Sequence, residues 1–168
     1  MSYQSEEVTE ILRMIESEHL DIRTVTMGVS LRGVASRDLG QFCEGLHERV
    51  LGYAGGLVTT AHDVEQEFGV PITNKRLAVT PVAIPAEASG ADSYVPVAEA
   101  MDRVAAEAGV DYIGGFSALV EKGMTHGDKV LIDSIPEALA STERVCSSVN
   151  VATTRAGINM NALIVMGH

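Results

Sequence analysis

Tryptophan is absent from this chain, and aromatic residues make up 4% of it. A core without large rings has to be built from aliphatic side chains and methionine, which suits close packing of helices on strands. Cysteine is scarce as well. Cys43 and Cys146 stand far apart, without the short spacing of a zinc knuckle or a redox pair, and two cysteines make no disulfide framework. Cations are outnumbered, 12 Lys and Arg against 23 Asp and Glu, giving a net charge of −11. Such a chain repels phosphate backbones and anionic lipid, so neither nucleic acid nor a membrane surface is an expected partner. Long apolar runs are missing too: none approaches the roughly 20 residues of a membrane span. The stretch Met1 to Glu18 is acidic, unlike a signal or transit peptide, so a cytoplasmic location is expected.

What is present is enough for a folded domain. The chain has 168 residues, 46% hydrophobic and 21% charged, which is the size and balance of one globular unit. Ser5 is placed to cap a first helix with Glu6 and Glu7 in its first turn and an apolar stripe of Val8, Ile11, Leu12 and Ile15. Ile22 to Leu31 alternates as a strand, with Val25, Met27, Val29 and Leu31 on one side and Thr24, Thr26, Gly28 and Ser30 on the other. Ser36 then caps a helix whose apolar positions Leu39, Phe42, Cys43, Leu46, Val50 and Tyr53 recur at helical spacing. Gly55-Gly56 interrupts it, the pattern resumes through Leu57, Ala61, Val64 and Phe68, and Gly69 with Pro71 stops it.

Leu77 to Ile84 reads as a second strand, Asp92 to Gly109 as a helix and Tyr112 to Phe116 as a third strand. Gly114-Gly115, without side chains, marks either a close backbone approach or a sharp turn. Ser134 to Ser141 reads as a helix with Pro136 in its first turn, and Val145 to Val151 as a fourth strand. The apolar, helix-compatible stretch Gly157 to Gly167 has neither capping residues nor a polar tail, which suggests a domain that continues beyond it. Strands alternating with helices predict an α/β fold with a parallel or mixed sheet, because parallel strands need crossover connections. Residues 1–168 are expected to form a single α/β unit.

Several blocks resemble one family. They are Leu20 to Gly28, Pro71 to Arg76 with Val79-Thr80-Pro81, Val110 to Val120, Ile135 to Ala140, Val145 to Asn150 and Gly157 to Met160. In that order they are similar to the uncharacterised protein family 0210, or domain of unknown function 711, whose members are often labelled "PFL family protein". The resemblance implies that this chain corresponds to the N-terminal portion of a longer protein. It also implies a fold similar to the β/α barrel of pyruvate formate-lyase and related glycyl-radical enzymes, these strands being consecutive staves of a partial barrel. It implies no activity. An incomplete barrel would leave strand edges and an apolar face uncovered, which favours a homo-oligomer or completion by further chain.

Arg49-Val50-Leu51-Gly52-Tyr53 looks like the loop that carries the radical in glycyl-radical enzymes, but it lies early in the chain and inside the second helical pattern, so it reads as helix. Cys146 is the candidate catalytic residue: it lies on a strand beside Ser147, Ser148 and Asn150, where a radical barrel enzyme would hold its thiol. The alternative is a small buried side chain, which is also the reading of Cys43. Lys75 and Arg76, with Asn74, are two adjacent cations in an acidic chain, suited to a carboxylate or phosphate, and Thr80 shares the strand face of Arg76. Asn159 closes a polar turn from Thr153 that leads toward a helix and can present backbone amides to an anion, though it lacks the spacing of a Walker loop. The five histidines show no metal-binding arrangement.

The expected site is therefore a small-molecule pocket, for an amino acid or other carboxylate metabolite, lined by Lys75, Arg76, Thr80, Cys146, Ser147, Asn150 and Asn159. An enzyme, a non-catalytic metabolite sensor, and a subunit without independent activity all fit these residues, and nothing in the sequence specifies a cofactor.

Overall fold

The computed structural model describes residues 5–17 and 21–167, so His19 and His168 lie outside it together with Leu20. In chain order the helices are α1 (Ser5–Glu16), α2 (Leu39–Ala54), α3 (Leu57–Phe68), α4 (Ala83–Ala86), α5 (Val95–Ala108), α6 (His126–Ser141) and α7 (Met160–Met166). The strands are β1 (Ile22–Val29), β2 (Ile72–Val79), β3 (Tyr112–Leu119), β4 (Val145–Asn150), β5 (Ala152–Thr153) and β6 (Gly157–Ile158). The first four strands form one sheet in the order β1-β2-β3-β4, with every pair parallel, while β5 and β6 form a small antiparallel hairpin. The parallel sheet is the one the alternation predicts. It is open, with β1 and β4 at its edges, and the described residues do not close it into a barrel.

An order that never reverses has a simple consequence. Right-handed crossovers that always step the same way deposit their helices on the same face of the sheet. α2 packs on α5 and α5 on α6, and together they cover that face. The core lies between, where Phe42, Leu46, Val50 and Ala54 recur along one stripe of α2 and Val97, Met101, Val104 and Ala108 along one stripe of α5. Against them pack Leu77, Ile113 and Phe116 from the strands, all buried. Each such side chain contributes about 1.5–3 kcal/mol of burial. The aliphatic core expected from the composition is what holds the layers together.

Local chemistry sets the helix ends. The Asp38 side chain, and not Ser36, caps α2 by accepting the Gln41 N–H, and Ser36 instead receives the Asp38 N–H. Gly55 and Gly56 separate α2 from α3 as the sequence indicates, and Arg49 to Tyr53 is helical. α6 starts eight residues before the expected Ser134, because Thr125 and Asp128 form a reciprocal capping box that the apolar pattern did not reveal. Pro136 therefore lies inside a helix and not in its first turn. The stretch Gly157 to Gly167 is a strand end followed by the short α7, which leaves Met160, Leu163, Ile164 and Val165 exposed. On α1, Val8 and Leu12 are also exposed, while Ile11 is partly buried.

β2 corrects the sequence reading most. It spans Ile72 to Val79 and not Leu77 to Ile84, so Asn74, Lys75 and Arg76 are inside a strand and not before one. Parallel pairing with β1 fixes this, since Ile22 lies beside Ile72 and Val29 beside Val79.

Candidate functional site

Side chains alternate across a strand, so the register divides the candidates between two faces. Val25, Met27 and Val29 of β1 lie beside Lys75, Leu77 and Val79 of β2, and this set faces the helices. Thr24, Thr26 and Gly28 lie beside Asn74, Arg76 and Ala78, and this set faces away from them. The helix-free face continues through Tyr112 and Gly114 of β3 to Cys146 of β4. At Gly115 the register between β3 and β4 slips, which brings Phe116 opposite Ser147 on the helix side and Ser117 opposite Ser148 on the bare side.

Arg76 and Cys146 thus share the bare face. They are two strands apart across the sheet and one pleat repeat apart along it, roughly 12 Å between Cα atoms at ordinary strand spacing. The Arg76 guanidinium lies over the Tyr112 ring, 5.9 Å from its centroid. Among the described residues it has no carboxylate partner. Next to it runs the row Gly28, Ala78, Gly114 and Cys146, one residue from each strand and almost without side chains. A methyl group placed on Gly28 would meet nothing within 4 Å, and one on Gly114 would only reach the Leu77 carbonyl oxygen at 3.9 Å. The result is a shallow floor with a cation on one side and a half-buried thiol at its far end.

Lys75 does not join Arg76. Its ammonium lies on the helix side, 3.2 Å from Glu65 Oε1 of α3 and 2.8 Å from the Ile72 carbonyl oxygen. Ser147 also faces the helices, where its Oγ is buried without a hydrogen-bond partner among the described residues. Thr80 follows β2 directly and is occupied with structure: its hydroxyl accepts the Leu31 N–H at 3.0 Å, holding the chain as it leaves β1. Asn150 ends β4 on the bare side, its amide 3.5 Å from a Glu121 carboxylate oxygen. Asn159 caps α7 through the Ala162 N–H and donates to the Val120 carbonyl oxygen at 2.7 Å, so the structure gives it a scaffolding task. Cys43 packs at the core margin, where burial pushes its thiol above the ordinary value.

Two residues on or near this site escaped the sequence reading. Tyr112 was visible as a strand residue, but only the β2-β3 register places it under Arg76. Arg49 reads in sequence only as part of a helical pattern, whereas its Nε is buried without a partner among the described residues. No helix among the described residues is long and apolar enough to cross a membrane, and no cluster of three or more His, Cys, Asp or Glu is arranged to hold a metal.

Residues 13–168 match the family described as Uncharacterised ACR (DUF711). A UPF0210 protein of Syntrophotalea carbinolica is 56% identical over 168 residues, which cover 100% of this chain and 37% of that protein. Those of Methanococcoides burtonii and Desulforamulus reducens are each 54% identical, covering 100% and 98% of this chain and 37% and 36% of their own lengths. The chain therefore spans little more than a third of these relatives. Sequence blocks that run from β1 to α7, a match over almost the whole length and identities above one half lead to one conclusion: the chain belongs to the DUF711 family of uncharacterised proteins.

Proposed function

We propose that the helix-free face of the sheet binds a small carboxylate-bearing metabolite, an amino acid or a related acid, with Arg76 as its anchor. One observation carries this reading: Arg76 is a cation without a carboxylate partner among the described residues, in a chain where acids outnumber cations 23 to 12. A guanidinium forks onto a carboxylate through two parallel hydrogen bonds, and Tyr112 beneath it limits its rotation. The row of Gly28, Ala78 and Gly114 leaves room for the body of the ligand, and Cys146 stands where that body would end.

An all-parallel sheet is ordinarily covered on both faces. In the longer relatives further chain closing over this face, as the staves of a pyruvate formate-lyase-like barrel would, turns the floor into a pocket. Thiol chemistry at Cys146 then depends on a base or radical source from that further chain, since none of the hydrogen bonds of the described residues involves its sulfur. Binding without turnover is the sensor alternative, and the two readings share Arg76.

Thermal shift of the family's full-length protein against a panel of amino acids and di- and tricarboxylates tests the reading. At a hundredfold excess over Kd a ligand adds about 2.7 kcal/mol. The expected result is stabilisation by a carboxylate that Arg76→Ala abolishes and Lys75→Ala leaves in place as a ligand-induced shift. Stabilisation that survives Arg76→Ala, or none from any acid, would sink it. Cys146→Ser separates enzyme from sensor, because it should remove turnover and spare binding.

A further inference from the structure

Arg49 and Tyr53 lie four positions apart on α2, so their side chains leave one face of that helix a turn apart. With Met27, Gly28, Val29 and Ser30 at the end of β1 they line a groove of about 310 Å³, the lower end of the range of small-molecule sites. Met27 and Val29 give it apolar walls on the helix side. Tyr53 is 65% exposed, its ring open to a stacking partner. Arg49 is half-buried, and among the described residues its side chain has neither an ion pair nor a hydrogen bond. Its Nε–H in particular is buried with no acceptor, a state that is rare in folded proteins and that a bound acceptor relieves. None of the six lining residues is acidic.

We propose that this groove binds an aromatic carboxylic acid that carries no amino group, a hydroxy or keto acid, with its carboxylate on Arg49 and its ring on Tyr53. A guanidinium takes a carboxylate through two parallel hydrogen bonds, and a turn about the last bonds of the Arg49 side chain brings its Nε–H edge to the groove to supply one of them. The apolar walls and the exposed tyrosine ring suit an aromatic body. The ammonium of an amino acid would meet no carboxylate here, and taking it out of water unpaired is unfavourable. A hydroxyl or keto oxygen in its place meets Ser30, whose Oγ accepts the Arg32 N–H at 3.3 Å and keeps its own proton to donate. Gly28 leaves the mouth open, since an added methyl there meets nothing within 4 Å. Arg49 approaches from the helix layer and Arg76 from the bare face, so this site does not rest on the Arg76 reading.

Titration calorimetry of this 168-residue chain with phenyllactate, phenylalanine and lactate tests the proposal. Phenyllactate should bind with a Kd of about 1 mM or tighter. Phenylalanine, which has an ammonium where phenyllactate has a hydroxyl, and lactate, which lacks the ring, should each bind about tenfold more weakly or worse. Arg49→Gln should weaken phenyllactate about tenfold or more and Tyr53→Ala about threefold or more, while Arg76→Ala should leave its Kd within about twofold. Circular dichroism melts check that each variant is folded. Should Arg49→Gln not fold, Tyr53→Ala decides alone, being a change of an exposed ring. The proposal is overturned by phenyllactate that does not bind at about 5 mM, by binding that Arg49→Gln leaves intact, or by phenylalanine binding as tightly. Binding lost in Arg76→Ala and kept in Arg49→Gln also overturns it, placing the acid on the bare face of the sheet, so the two sites fail separately.

Discussion

Glu65 and Lys75 tie α3 to the strand that follows it: one carboxylate oxygen of Glu65 receives the Lys75 ammonium at 3.2 Å and the Ile72 N–H at 2.6 Å. The ammonium in turn donates to the Ile72 carbonyl oxygen at 2.8 Å, so both polar groups at the start of β2 are held by one ion pair. The other Glu65 oxygen lies 3.5 Å from His62 Nδ1. This is why two neighbouring cations have different tasks. Lys75 locks the crossover on the helix side, and Arg76, one residue on, is left to the bare side.

The same contacts predict a pH dependence. Hydrogen bonding by the Ile72 N–H, and after it by Lys75, holds the Glu65 carboxyl below its ordinary value of 4.5. A carboxyl with a lowered native pKa stabilises the fold fully above its unfolded value and loses that contribution as pH falls through the native one. Glu65→Gln should therefore melt at a lower temperature than wild type at neutral pH, and the gap should narrow as pH falls through the ordinary carboxyl value of 4.5 and below. Thermal melts across that range check it. A gap that stays constant down to pH 3 would show that the contact acts through geometry and not through charge.

The adjacent glycines of β3 should respond in opposite ways to the same substitution. Gly115 has a φ of +120°, and a methyl group there would collide with Val79 Cγ2 and stand 2.7 Å from the Val79 carbonyl oxygen. The valine can rotate, but the carbonyl belongs to β2 and cannot move without breaking the ladder. Gly115→Ala is expected to cost roughly 3 kcal/mol, combining left-handed strain with overpacking. At Gly114 the nearest atom is 3.9 Å away, so Gly114→Ala should be close to neutral. Urea denaturation midpoints of the two variants compare them directly. Equal losses would contradict the bulge as the reason for this pair.

The sequence showed one half of each of these relationships. Gly114-Gly115 was visible as a close approach or a turn, yet only the β3-β4 register tells which glycine faces backbone and which faces open space. Alternation in Ile22 to Leu31 places Thr24, Thr26, Gly28 and Ser30 on one side; the strand ends at Val29, and up to there the structure keeps that division. For β2 the polar run Asn74-Lys75-Arg76 hid the strand's beginning, because a lysine that snorkels along α3 to Glu65 looks in sequence like a solvated loop residue. All seven candidate site residues lie on strands or directly after one, Asn159 being also the cap of α7, but the choice of face depends on pairing partners dozens of residues away. That is long-range information, and local periodicity does not contain it. The capping box at Thr125 is local, in contrast, and its signal is the polar residue three positions before Asp128, which apolar spacing does not contain.

Cys43 offers a last check on how the helix layer packs. Its thiol is half-buried between α2 and the start of α5, where Sγ lies 3.7 Å from the Pro96 carbonyl oxygen as a donor. Burial raises its pKa above the ordinary 9.0, a shift that the Arg103 charge opposes and that Asp38, Glu44 and Glu99 reinforce. The thiolate is the reactive form, so at a given pH this cysteine should alkylate more slowly than an exposed one. In a Cys146→Ser background one thiol remains, and its reaction with iodoacetamide at about pH 8 should accelerate several-fold when the protein is unfolded in guanidinium. The folded-state rate should level off at a higher pH than the rate of the unfolded chain, because burial raises the thiol above its ordinary value. Equal rates in the folded and unfolded chain would mean that Cys43 is open to solvent and that α2 does not lie against α5 as described.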